Sequence, residues 1–172
     1  MIQLVLSALP IDEVPGAVTL ATFFEDVRPL KGPGGLIDWR TNGRLSDLIL
    51  KGHLSGSFSE SLIMPSQGRL STRDILIFGL GKLKELDEAK FEEGWNKIVD
   101  KIVRLKASEI ILSFGDMAKD FMGWRALLRL FITSLALKRP DMQIVCCENQ
   151  KWINEAKKRN MDFGPDVTVS YS

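Results

Sequence analysis

The sequence predicts an α/β domain, a mixed and mostly parallel sheet with helices on both faces. Three observations carry that expectation. The apolar period switches repeatedly between two and 3.6 along the chain, as it does where strands alternate with helices. The run VTLATFF (18–24) is apolar on both faces, which suits a central strand covered from both sides. The chain has 172 residues, of which 45% are hydrophobic and 26% charged, enough apolar material for one domain with a sizeable core.

Each element follows in order. Residues 2–6 are a first strand, and Pro15 with Gly16 marks the turn that follows. Residues 18–24 form a second strand. Residues 28–35 (RPLKGPGG) hold two prolines and three glycines and are expected to be a loop. Ile37, Leu45, Leu48 and Ile49 suggest one short helix ending at Gly52, a good residue beyond a helix C-terminus. Residues 61–64 and 73–78 are strands joined by a short connection, so they are expected to pair antiparallel.

A helix over 88–106 has Asp87 as its N-cap and buries Phe91, Trp95, Ile98, Ile102 and Leu105, spaced 4, 3, 4 and 3. Gly94 within it is expected to mark a close approach of another backbone. Residues 109–114 are a strand, and a long helix is expected over 117–138. Residues 143–147 are a strand. Asn149 caps a short helix over 151–159 that buries Trp152 and Ile153, and 167–169 close the sheet.

Composition excludes several classes. Net charge is +1 and no basic stripe is present, so no nucleic-acid partner is expected. The basic clusters 138–139 and 157–159 read as solvated helix ends. The N-terminus lacks a basic leader, and the most apolar stretch, 126–137, contains Arg129 and falls short of the ~20 residues of a membrane span. A cytoplasmic protein without a membrane partner is the expectation. Cys146 and Cys147 are neighbours on a strand, point to opposite faces and read as two small buried hydrophobes.

Chemistry-bearing motifs are sparse. Gly79 and Gly81 sit where a strand meets a turn. Lys84 occupies the third glycine position of a dinucleotide fingerprint, and Leu83 after Lys82 breaks a phosphate-binding loop of the Gly-Lys-Ser/Thr type. Gly79, Gly81 and Lys82 therefore read first as a tight turn and second as an anion site. Lys31, Gly32, Gly34 and Gly35 could bring backbone amides to a ligand. Gly115 and Asp116 stand at a strand's carboxyl end, where open α/β sheets bind ligands. His53 is the only histidine, so no histidine-based metal cluster can form, and neither a metal nor any other cofactor is expected. Trp124, Arg125, Leu128 and Arg129 have the composition of a protein interface, and equally that of a helix buried on two sides.

Three blocks in order carry a resemblance. They are Asn42-Gly43-Arg44-Leu45-Ser46 with Lys51-Gly52, Gly56 with Glu60-Ser61-Leu62, and residues 74–82 with Glu85-Leu86-Asp87. Their order and spacing resemble the N-terminal domain of the cytosol (leucyl) aminopeptidase family. The resemblance implies a three-layer α/β/α macro-like fold. It also implies that the metal ligands and the catalytic lysine and arginine belong to a second domain, whose Asn-Thr-Asp-Ala-Glu-Gly-Arg signature does not occur here. No catalytic residue is carried over. The expectation is one non-catalytic domain over 1–172 that acts through a protein partner or a homo-oligomer. The alternative is a nucleotide-like ligand, since macro domains bind ADP-ribose; residual hydrolysis ranks last.

Overall fold

The computed structural model describes residues 1–115, 121–138 and 141–172. Its elements are β1 (Ile2–Ser7), β2 (Gly16–Phe23), α1 (Gly32–Arg40), α2 (Arg44–Leu50), β3 (Ser61–Pro65), β4 (Thr72–Gly79), α3 (Glu88–Leu105), β5 (Glu109–Leu112), α4 (Trp124–Ala136), β6 (Gln143–Cys147), α5 (Gln150–Lys158) and β7 (Val167–Tyr171). The strands form one sheet in the order β3-β4-β2-β5-β6-β1-β7. Every pairing is parallel except β3 with β4, which is antiparallel.

Alternation along the strands builds two different faces. Leu4, Leu20, Leu76, Ile110, Ile144 and Cys146 point into the larger core, which α3, α4 and α5 cover. Their neighbours point the other way. Ala21, Ile75 and Ile77 meet α1 and α2 through Ile37 and Leu45, while Ile111, Val145 and Cys147 meet Ile11 and Val14. Cys146 and Cys147 are buried free thiols on opposite faces, as adjacent strand residues must be.

Local signals place the helix ends. The Asp87 carboxylate accepts the Lys90 N–H at 2.8 Å, and the Asn149 side chain accepts the Trp152 N–H at 3.0 Å. Trp95 anchors the larger core, with ring centroids 5.2, 5.6 and 5.0 Å from those of Phe91, Phe114 and Phe131.

Four expectations need correction. Residues 32–35 are not loop, because α1 begins at Gly32 with Pro33 in its first turn, where a missing N–H is tolerated. The single short helix is two, broken where Asn42 (φ 57°) and Gly43 (φ 76°) turn left-handed and Asp38 binds the Ser46 N–H and hydroxyl at the start of α2. The helix expected over 117–138 is interrupted: residues 121–123 are turn and coil, α4 begins at Trp124 behind the extended Gly123, and residues 117–120 lie outside the described residues. Gly94 faces side chains and not backbone: a Cβ there would lie 3.0 Å from Leu80 Cδ2 and 3.4 Å from Phe58 Cε2.

Candidate functional site

Parallel strands end together, so the carboxyl ends of β1, β2, β5 and β6 share one edge of the sheet. Open α/β sheets bind ligands at that edge. Two cavities lie there. The larger, about 330 Å³, is lined by residues that include Pro10, Leu36, Ser113, Gly115, Glu148 and Trp152. The smaller, about 130 Å³, is lined by residues that include Phe23, Val27, Lys31, Leu83 and Phe114. Gly32, Pro33 and Ser113 line both, so the first turn of α1 forms the ridge between them. Lys31 makes no side-chain cap and that turn holds no acid; Pro33 has no N–H and the Gly35 N–H donates to the Lys31 carbonyl at 3.1 Å, so the amides left over are those of Gly32 and Gly34.

Glu148 dominates the larger cavity. It follows β6 directly and is only 7% exposed. Its Oε1 accepts the Phe114 N–H at 2.6 Å and the Ser113 hydroxyl at 3.4 Å, and the Cys146 thiol lies 3.9 Å away. Burial pushes the carboxyl up to about 7, against the hydrogen bonds from the Phe114 and Gly115 backbone and from the Ser113 and Cys146 side chains. Cys147 also lines the cavity. Burial and the charge of Glu148 push its thiol up to about 12, so it stays protonated and is a poor nucleophile.

The geometry sorts the glycines singled out in the sequence. Gly32 lines both cavities, Lys31 the smaller and Gly115 the larger. Gly115 has φ +48°, and a Cβ on it would lie 2.8 Å from Pro33 Cδ, so the loop after β5 packs directly on α1. Gly34 is buried against Thr22 and Phe23, and a Cβ on Gly35 would lie 2.6 Å from the Leu30 carbonyl oxygen.

Gly79 and Gly81 do something else. Their N–H groups donate to the Glu60 and Gly56 carbonyls at 2.8 and 2.9 Å, which leaves none for an anion. Lys82 pairs with Glu85 at 3.6 Å. Both glycines sit in a bend closed by hydrogen bonds within the chain. Asp116 lies outside the described residues.

The interface reading of α4 meets the same test. Trp124 and Leu128 are buried within the chain, with Trp124 stacked on Trp152 at a centroid distance of 6.0 Å. The Arg125 guanidinium lies 3.0 Å from Glu155, an ion pair without hydrogen-bond angles, and Arg129 reaches the Asp162 carbonyl at 3.4 Å. This wide apolar face belongs to the core. Sequence reasoning missed Glu148. The one available signal was an acid immediately after a parallel strand, at the edge where ligands bind.

Among the described residues no group of three His, Cys, Asp or Glu is placed to hold a metal ion, and no helix is long and apolar enough to cross a membrane. Comparisons with known proteins agree with this architecture. The probable cytosol aminopeptidase of Pseudomonas aeruginosa strain UCBPP-PA14 is 27% identical over 118 residues, covering 69% of this chain and 24% of that relative. The chain thus spans about a quarter of the length of this relative. A tomato leucine aminopeptidase superposes with a TM-score of 0.59 at 14% identity, covering 86% of this chain and 32% of the other. A Trypanosoma brucei macrodomain solved with ADP-ribose superposes with a TM-score of 0.66 at 12% identity, covering 91% and 68%. These likenesses show a macro-like α/β/α fold. The model of the cytosol aminopeptidase family's N-terminal domain matches residues 22–128, more than half of the 172, and the chain therefore belongs to that family.

Proposed function

We propose that this chain is a small-molecule-binding module of macro-like fold, with the cleft at the sheet's carboxyl edge as its ligand site. The observation that carries the reading is the pair of adjoining cavities around the first turn of α1, one holding the buried Glu148 and the other Lys31. Such a cleft, mostly apolar with a few placed polar groups, is the usual form of a ligand site. Nucleotide-like compounds are the first class to test, because a macrodomain of the same fold is solved with ADP-ribose. The relatives are named cytosol aminopeptidases, and the cytoplasm is the compartment proposed here.

The proposal is binding and not peptide hydrolysis. Glu148 and Cys147 offer no activated nucleophile and no carboxylate pair to carry water to a carbonyl. Association with a protein remains a second reading, favoured by Trp39 and Leu50, which are 68% and 87% exposed on α1 and α2.

Thermal unfolding with millimolar ADP-ribose, ADP, adenosine and uncharged or cationic fragments tests the binding reading. A ligand of the folded state raises the melting temperature by mass action. Stabilisation by at least one compound, lost when Leu36→Trp fills the larger cavity, is expected. A panel with no stabilising member, or stabilisation unchanged in Leu36→Trp, overturns the reading.

A further inference from the structure

We infer that the larger cavity takes a small organic cation, an ammonium or amidinium group on an apolar body, with Glu148 as its counter-ion. The inference rests on the cleft being a ligand site and narrows the chemistry of what fills it.

The argument begins with the two oxygens of Glu148. Oε1 is held by the Phe114 amide and the Ser113 hydroxyl. The Gly115 backbone also faces the carboxyl, but no side chain of a described residue bonds Oε2, and the side chain lines the cavity and is more than nine-tenths buried. No described Lys, Arg or His lines that cavity, and among the described residues Glu148 has no ion-pair partner. A buried carboxylate without a counter-charge is unfavourable, and a cation brought by a ligand relieves it.

The walls supply the rest of the selectivity. Pro10, Ile11, Leu36 and Trp152 are apolar, and stacking on Trp124 fixes the Trp152 ring. An alkyl or aromatic body buries surface there. A phosphate meets the opposite situation, since Glu148 already occupies the Phe114 amide and repels a second anion. A nucleotide obeys this rule only with its phosphates away from Glu148, towards Lys31 in the smaller cavity.

The charge of the pocket changes near neutrality. Burial holds the Glu148 carboxyl at about 7, so a cation binds better as pH rises and that carboxyl ionises. The described groups that face it are few. From β6, the Cys146 and Cys147 thiols are both pushed well up by burial. From the turn after β1, Asp12 is paired with Arg40 of α1 at 2.5 Å. From β5 and α5 come Ser113, Asn149 and Trp152, which do not titrate here. Affinity for a cation should rise about tenfold from pH 6 to pH 8.

The test uses n-butylammonium as probe, followed by the NMR shifts of the Phe114 and Gly115 amides and the Trp152 indole. Saturable shifts at pH 8, about tenfold weaker at pH 6 and absent in Glu148→Gln, are expected, with orthophosphate giving none in the wild type at pH 8. Butylammonium without effect at millimolar concentration, or with equal effect on Glu148→Gln, overturns the inference. The wild-type pH series stands even if the variant folds poorly. Adenosine and ADP-ribose on the same resonances separate the two proposals. If they bind and butylammonium does not, the cleft stands and the charge rule falls; if none binds, both fall.

Discussion

Two glycine-rich segments sit on the same edge of the sheet, one closing β4 and one opening α1, and they do different things. At 79–81, backbone presses on backbone: a Cβ on Gly79 would lie 2.4 Å from the Ser57 carbonyl oxygen, and both glycine amides donate inside the chain. At 32–35, the helix α1 starts between two cavities with no side-chain cap; the Gly35 N–H donates to the Lys31 carbonyl, and those of Gly32 and Gly34 have no backbone acceptor among the described residues. The difference teaches that a glycine at this edge of the sheet is not itself a sign of a ligand. What decides is whether its amides already have partners.

The largest effect should come from Gly79→Ala. The added methyl meets fixed backbone and not a movable side chain, so a loss of about 3 kcal/mol or more in urea unfolding is expected. A loss below about 1 kcal/mol would mean that the 56–57 segment yields and that the turn is less tightly determined than the contact implies.

Glu148→Gln comes next. The folded-state carboxyl is raised from 4.5 to about 7, so the folded protein holds this proton more tightly than the unfolded chain. Its favourable contribution is complete below pH 4.5 and is lost as pH rises through 7. The wild type should therefore lose roughly 2–3 kcal/mol from this group over that window, and Glu148→Gln should not. Denaturant midpoints at pH 5 and pH 8 check it: parallel pH profiles for the two proteins would contradict the burial argument.

Gly115→Ala should cost about 1–2 kcal/mol, through the positive φ and the contact with Pro33, and should also shift the first turn of α1. Amide shifts confined to 113–116, with 31–35 unmoved, would show that the two loops are not mechanically joined. The smallest effect is of opposite sign. A Cβ on Gly34 meets only Thr22 and Phe23 at 3.6 and 3.8 Å, ordinary contact distances. Gly34→Ala should stabilise α1 by about 0.5–1 kcal/mol, measured as a rise in midpoint.

The strands and helix caps were legible because their signals are local. Asp87 and Asn149 cap the helices they precede, and Gly52 takes the left-handed conformation after α2. The start of α1 was hidden by its own glycines, which read as loop until Pro33 is seen in a first helical turn. The wide apolar face of α4 was legible, but not what covers it. That depends on α3 and α5 arriving over the same face of the sheet. Glu148 was illegible for a stronger reason. Its partners Ser113 and Phe114 lie 35 and 34 residues away, and only the pairing of β5 with β6 brings them together.

A crystallographic fragment screen tests the central claim most directly. The account predicts that fragments gather in the cleft between α1 and Glu148, with amine-bearing ones on the Glu148 carboxylate. Fragments that settle only on the exposed Trp39 and Leu50 faces, and leave the cleft empty, would contradict it.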